Sequence, residues 1–223
     1  MLAAVIPARD EEATIAEIVE VARRMVDAVF VVDDGSSDET DGRARAAGAE
    51  IISIHPGAGY AVAVLTGIRA ALGAGAERVV TLDAGGSHDP YQLRSGVHSL
   101  LTARNHAVIG ARVESNALWW RKLLSEVTAL VVSNAVGQLV LDATSGYRWY
   151  ARGTAEWLVA QERFARLSNH SFNAVTLIAM IRAGFLVDHT PITYRASKST
   201  LTWRSTVRAG LEVGREWWSG SRI

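Results

Sequence analysis

Over its first 112 residues the chain alternates short β-branched runs with stretches of helical periodicity. Residues 3–6, 28–32, 50–54, 78–82 and 106–109 read as strands, and residues 14–26, 39–47, 60–72 and 90–103 as the helices between them. Strands joined through a helix pair in parallel, because the crossover returns the chain to the edge it started from. The expected fold class is therefore α/β, a mostly parallel central sheet with helices on both faces. Ligands of such sheets gather beyond the carboxyl ends of the strands. Three of those ends carry polar clusters: PARDEE from Pro7, DDGSSDE from Asp33 and DAGGSHDP from Asp83.

Parts of these clusters have plain structural uses. Ser37 or Asp38 can cap a helix that opens near Glu39, and Asp89 can cap one that opens at Pro90. That leaves Asp33, Asp34 and Asp83 at the ends of buried strands. Adjacent carboxylates repel and need a partner such as a ribose diol, a cation or an arginine. A hard cation takes oxygen ligands, which Asp83, substrate phosphates and water supply. Gly57-Ala58-Gly59-Tyr60 looks like the start of a dinucleotide fingerprint, but Val62 holds its third glycine position. The next strand ends on no acid except Asp83, which disfavours a nicotinamide dehydrogenase.

Composition narrows the chemistry further. The absence of cysteine from all 223 residues excludes disulfide scaffolds, cysteine zinc sites and thiol catalysis. The net charge is zero, yet residues 1–90 carry 15 Asp/Glu and 7 Arg, while residues 91–223 carry 8 Asp/Glu, 14 Arg and 2 Lys. An acidic half suits a metal ion or polar ligand, and a basic half suits phosphates or an anionic membrane. No nucleic-acid-binding motif is visible, so nucleic acid is not an expected partner. The N-terminus lacks a basic n-region. The apolar stretch 127–141 is broken by Ser133, Asn134, Gly137 and Gln138, so a core helix rather than a spanning one is expected there, and the chain reads as cytoplasmic.

The second half is less regular. Residues 118–136, 155–166, 173–183 and 203–218 look helical, and residues 185–189 and 192–194 look like short strands around Pro191. No linker separates the halves, so a single domain over 1–223 is expected.

Taken in order, PARDE, VDDGSSDET, GYAVAVLTG, LDAGGSHDP, GAR, TSGYRWYAR and YRASKS resemble the family 2 glycosyltransferases. The TSGYR segment and the basic tail resemble the branch that makes dolichyl- or polyprenyl-phosphate hexoses. The resemblance implies a GT-A nucleotide-sugar-binding fold, a GDP- or UDP-hexose donor, and Mg²⁺ or Mn²⁺ as cofactor. It implies that Pro7, Arg9, Glu11 and Asp34 hold the base and ribose, with Asp83 and Ala84 at the donor. Asp83 matches the first Asp of the family's D-x-D metal motif, but Gly85 stands where the second belongs. Ser87 and Asp89 are the nearest residues that could make up the lost ligand. On this reading residues 1–112 form the nucleotide-sugar half and residues 113–223 the acceptor and membrane-surface half.

A lipid phosphate is already ionised and needs no general base, whereas a hydroxyl acceptor does. The resemblance assigns the acceptor phosphate to Arg112, to Arg121 with Ser125, and to Arg195 with Lys198, and Arg suits phosphate through its bidentate fork. Trp119, Trp120, Leu123 and Leu124 flank Arg121 and Lys122. Trp203, Val207, Leu211 and Trp218 are interleaved with Arg204, Arg208 and Arg215. Such mixtures suit a membrane interface. The expected activity is inverting hexose transfer to a polyprenyl phosphate, with Asp83, Arg112 and Arg121 as catalytic residues, by a protein peripheral on the cytosolic membrane face. Two alternatives stand beside it. One is the same fold acting on a soluble hydroxyl with Asp142 as base; the other is a nucleotide-sugar-binding protein that has lost catalysis through Gly85.

Overall fold

The computed structural model describes residues 1–102, 106–115, 119–195 and 203–219. The first half supplies β1 (Leu2–Ala8), α1 (Ile15–Met25), β2 (Ala28–Asp33), α2 (Thr40–Ala46), β3 (Glu50–Ser53), α3 (Tyr60–Gly73), β4 (Arg78–Thr81), α4 (Val97–Thr102) and β5 (Ala107–Ser115). The second supplies α5 (Trp119–Val136), β6 (Arg148–Ala151), α6 (Arg152–Ala160), α7 (Phe172–Arg182), β7 (Val187–Tyr194) and α8 (Trp203–Ser219). Among the described residues the seven strands join one sheet in the order β3-β2-β1-β4-β6-β5-β7.

The chain winds outward from β1 through β2 to β3, all parallel, then returns to the other side of β1 as β4. That reversal between β1 and β4 is where open α/β sheets leave a crevice at their carboxyl ends. β2 ends level with β1 at Ala8↔Asp33, whereas β4 ends opposite Val5, short of the end of β1. β6 runs antiparallel between β4 and β5, and β7 runs parallel to β5. The segment before β6 and the ends of β5 and β7 therefore open on the same side as the end of β4.

Helices cover both faces, and the alternation within β1 shows why. Ala3 and Val5 point into one core with Leu65, Ile68, Leu177 and Ile178 from α3 and α7. Ala4 and Ile6 point into the other with Ile15, Ile18, Val19 and Ala22 from α1. The i, i+3, i+4, i+7 spacing of those α1 residues makes a single apolar stripe. Full burial of each Val, Leu or Ile contributes about 1.5–3 kcal/mol. No helix among the described residues is long and apolar enough to cross a membrane.

Three sequence expectations are corrected here. Residues 90–103 do not form one helix: Pro90–Gln92 is a 3₁₀ turn, and α4 begins only at Val97. Gly96 lies flat on the Trp149 indole, where a β-carbon would come within 2.3 Å of the ring. That contact fixes the chain before α4 in a position that helical periodicity does not foresee. The second correction is β6, unanticipated because its four residues RWYA lack a β-branched run; Trp149 and Tyr150 are fully buried there by tertiary packing. The third is β7, which runs unbroken through Pro191. Among the described strands it is an edge strand beside β5, so a residue without an N–H is tolerated.

Candidate functional site

The loops after β1 and β2 are laced together by short polar side chains. Asp10 accepts from the Ser37 backbone N–H at 2.7 Å and the Ser37 hydroxyl at 3.0 Å, and its own N–H donates to Ser36 Oγ at 3.0 Å. The Glu11 N–H donates to Thr40 Oγ1 at 2.8 Å. The adjacent Asp33 and Asp34 find partners within the fold. Asp33 accepts from the Ser36 N–H and hydroxyl. Asp34 accepts from the Ala58 N–H at 2.6 Å and the Gly59 N–H at 2.9 Å. Asp34 thus ties the end of β2 to the entrance of α3 and is only 6% exposed. Of the residues assigned to base and ribose, Arg9 is exposed and Pro7 and Glu11 are half-buried.

At the end of β4, Asp83 keeps a partly exposed carboxylate, whereas Ala84 beside it is buried. The Thr14 hydroxyl donates to the Ala84 carbonyl at 2.7 Å, tying the start of α1 to this loop across the β1/β4 crevice. A β-carbon on Gly85 would lie 3.0 Å from Glu11 Oε1, so Glu11 occupies the space that a side chain at position 85 would need. Ser87 is buried, and its carbonyl accepts from the Arg195 N–H at 2.9 Å. Asp89 caps the following turn through the Tyr91 N–H at 2.9 Å, the plain use that its sequence position suggests. Among the described residues no group of three acidic or histidine side chains gathers around a common point.

This donor set fits a hard divalent cation held mainly by its ligand. Mg²⁺ commonly uses one or two protein carboxylates and takes its remaining oxygens from phosphate and water. Asp83 is the residue that would hold such an ion, with Glu11 the next carboxylate.

Behind Asp83 the site is tightly built. The Asp83 N–H donates to His88 Nδ1 at 3.2 Å, and the His88 ring is buried between Tyr147 and Tyr194, with centroids at 5.0 and 5.6 Å. Burial depresses the His88 pKa despite nearby Asp83, so the ring is a neutral acceptor at Nδ1. Tyr60 and Asn173 approach from α3 and α7. His88 lies in a cluster already singled out in the sequence, and Tyr60 in the GYAVAVLTG segment, but neither signal assigns them a task.

On the far side of the crevice, Arg112 at the end of β5 forms a forked pair with Asp142, Nε to Oδ2 at 2.6 Å and Nη2 to Oδ1 at 2.8 Å. Nη2 also donates to Ser125 at 3.0 Å and to Thr144, and the guanidinium lies 5.0 Å from the Tyr194 ring centre. Burial works against both charges. Each nevertheless stabilises the other, raising the Arg112 pKa and holding Asp142 below the ordinary carboxylate range. Asp142 also accepts from the Thr144 and Ser145 N–H groups. A carboxylate so engaged is a poor proton acceptor. Arg148, by contrast, bonds the Ser145 and Ala143 carbonyls.

The other residues assigned to the acceptor are less gathered. Arg195 follows β7 and is exposed, Arg121 lies in the first turn of α5, and Lys198 lies outside the described residues. α5 presents Leu123, Val127, Leu130 and Val131 to solvent, a helical stripe that corrects the expectation of a core helix from residue 127 onward.

Residues 3–181 match the family model described as glycosyl transferase family 2. The chain belongs to this family. An undecaprenyl-phosphate mannosyltransferase of Micrococcus luteus is 35% identical over 136 residues, covering 56% of this chain and 55% of that protein. A polyprenol monophosphomannose synthase of Mycolicibacterium smegmatis is 32% identical over 177 residues, 74% of this chain and 66% of that one. The matches to these two relatives thus span between half and two thirds of their lengths. Glucosyl-3-phosphoglycerate synthase of Mycobacterium tuberculosis, crystallised with Mg²⁺ and UDP, superposes with a TM-score of 0.74 over 98% of this chain and 78% of that one, at 21% identity. The same enzyme has also been crystallised with Mn²⁺, UDP and its glucosylated product. At that identity the likeness establishes the GT-A fold.

Proposed function

We propose that this family 2 protein is an inverting glycosyltransferase that moves a hexose from a GDP- or UDP-sugar to a polyprenyl phosphate at a membrane surface. The observation that carries this reading is the Arg112–Asp142 pair. It places a fixed cation at the crevice and leaves its carboxylate unsuited to act as a base, which matches an acceptor already ionised as phosphate. The named polyprenyl-phosphate relatives and the exposed α5 stripe support the same acceptor class.

The donor lies across the ends of β1, β2 and β4, with Pro7, Arg9 and Glu11 around the nucleoside and Asp83 facing the diphosphate. Asp34 shapes that pocket by holding the 58–59 backbone. A bound divalent cation would neutralise charge on the departing nucleoside diphosphate. On the acceptor side Arg112, backed by Asp142, Ser125 and Thr144, orients a phosphate, with Arg121, Arg195 and Lys198 as further cations from the same half. A phosphate oxygen then attacks the anomeric carbon from the face opposite the leaving diphosphate, and no proton has to be removed. The chain's contribution is positioning and fixed charge.

The test is transfer by the purified protein from GDP- and UDP-hexoses with Mn²⁺, offered a detergent-solubilised polyprenyl phosphate or soluble hydroxyl acceptors, and read by mass spectrometry. A glycosylated lipid phosphate is expected. Transfer only to the soluble acceptors, or no transfer from any donor, would overturn the reading.

A further inference from the structure

The ring of Tyr194 lies between the two halves of the site. The Arg112 guanidinium stands over it, 5.0 Å from its centre. The imidazole of His88 packs against it at 5.6 Å between centroids, and that imidazole accepts from the Asp83 N–H at 3.2 Å. One aromatic side chain is thus shared by the cation at the end of β5 and the loop that follows β4.

The backbone explains why Tyr194 stands there. Residues i and i+2 of a strand share a face, so Tyr194 follows Ile192, which is buried in the core that contains α1. Ile192 pairs with Arg112, and a register shift between Arg112 and Glu114 follows at once. Gly110, two residues before Arg112, leaves the room that Ile192 fills: a β-carbon there would come within 2.8 Å of Ile192 Cδ1. The end of β7 is also sewn to the loop after β4. The Thr193 N–H and hydroxyl both donate to Gln92 Oε1 at 3.0 Å. The Arg195 N–H donates to the Ser87 carbonyl at 2.9 Å, and Tyr194 forms an antiparallel bridge with His88. Bonded residues therefore flank Tyr194 on both sides and fix its backbone.

Arg112 is held by Asp142 through Nε and Nη2, and by Ser125 through Nη2. Those bonds lie along one edge of a planar fork and leave the group free to tilt about that edge. A ring against the guanidinium carbon limits the tilt, and its quadrupole attracts the cation. It does so without neutralising the charge that a phosphate would meet, as a second carboxylate would.

We propose that Tyr194 is a positioning residue for transfer: its ring sets the tilt of the Arg112 guanidinium and, through its anchorage to the 87–92 loop, holds that cation at a fixed distance from Asp83. This inference rests on the transferase reading, which puts the acceptor phosphate at Arg112 and the donor diphosphate at Asp83. The attacking oxygen must come within about 3–3.5 Å of the anomeric carbon, and a misplacement of about 1 Å is enough to slow the reaction severely.

Tyr194→Phe keeps the ring, whereas Tyr194→Leu and Tyr194→Met fill the space without one. Each is compared with wild type by calorimetric binding of UDP and GDP with Mn²⁺. The same method then follows a short-chain, water-soluble polyprenyl phosphate added to the nucleotide-bound protein, alongside kcat for transfer and melting temperatures. His88 retains Tyr147 on its other side and its bond to the Asp83 N–H, so nucleotide affinity should hold in every variant. The Leu and Met variants should bind the lipid phosphate about tenfold more weakly with a lower kcat, and the Phe variant should match wild type. Lipid-phosphate affinity and kcat unchanged in the Leu and Met variants, or lost equally in the Phe variant, would overturn the role of the ring. So would parallel loss of nucleotide and lipid-phosphate affinity, which marks a merely structural side chain, or failure of both aliphatic variants to fold. Wild-type protein that binds nucleotide but no polyprenyl phosphate would instead overturn the acceptor reading, and this inference with it.

Discussion

Glu11 and Gly85 share one space: the Glu11 carboxylate lies where a side chain at position 85 would begin, 3.0 Å from the β-carbon site. Restoring the second Asp of the motif is therefore not a simple gain. In Gly85→Asp two carboxylates meet in a half-buried crevice, and each disfavours ionisation of the other. We expect a loss on the order of 1–2 kcal/mol at pH 7, shrinking as the pH falls and one carboxylate takes a proton. The double variant Glu11→Gln, Gly85→Asp should recover that stability. Urea denaturation at pH 7 and pH 5 checks this, and equal loss at both values would show that the clash is steric.

The Arg112–Asp142 pair predicts a different pH signature. Asp142→Asn leaves a largely buried guanidinium without its counter-charge, at a cost of about 2–4 kcal/mol. The folded pKa of Asp142 is depressed, so its stabilising contribution is fully present above the ordinary value of 3.8 and fades as the pH drops below it. The gap between wild type and variant should stay flat from pH 7 to about pH 5 and close only below about pH 4. Denaturation midpoints across that range measure it. A gap that closes near neutrality would mean that another group is responsible.

The outline of the fold was legible because its first half is made of long-range order written locally. A buried parallel strand such as β1 needs a continuous apolar run, and α1 needs an apolar stripe, and both survive as periodicity in the sequence. β6 was illegible because Trp149 and Tyr150 are strand residues only by virtue of the core around them. At the site, Asp83 stood out as a lone acid ending a buried strand, and Arg112 by its motif. Hidden from sequence were the assignments that depend on which side chain reaches which. Asp142 pairs with Arg112, 30 residues away, rather than with nearby Arg148. Asp34 is taken by backbone amides 24 and 25 residues on. Tyr60 and Gly146, far apart in sequence, come together in the folded chain.

Two acids hold α8 to the body of the fold, Glu216 through Arg163 at 2.8 Å and Glu212 through a cluster of donors. Glu212 accepts from the Ser168 N–H at 3.0 Å, the Ser168 hydroxyl at 2.7 Å and the Ser171 hydroxyl, and from Arg208 at 2.9 Å. Burial alone would raise its pKa, but these donors outweigh it and bring the group down to about 2. Its contribution is complete above the ordinary value of 4.5 and is lost as the pH falls toward about 2. Glu212→Gln should loosen α8 by about 1 kcal/mol. Amide hydrogen exchange in α8 should quicken in the variant at pH 7, and the two proteins should converge near pH 2.5. Exchange in α1, on the far side of the sheet, should not change.

The exposed stripe of α5 bears on how a lipid acceptor reaches Arg112. Ser125 lies on this helix and contacts Arg112, while Leu123, Val127, Leu130 and Val131 face outward, Leu130 at 64% exposure. Apolar side chains inserted to the acyl boundary bind in proportion to the area they bury. Val127→Ser with Leu130→Ser removes enough apolar surface to cost about 1.4 kcal/mol of partitioning, a factor of about ten. The folded protein should be untouched, because both side chains already stand in water. Co-sedimentation with vesicles containing anionic lipid should therefore fall about tenfold while the melting temperature holds. Transfer to a short-chain, water-soluble polyprenyl phosphate should persist, because Arg112 and its partners remain in place. If vesicle binding survives the double substitution, the lipid enters by another surface, and the exposed Leu211 and Trp218 of α8 become the residues to change next.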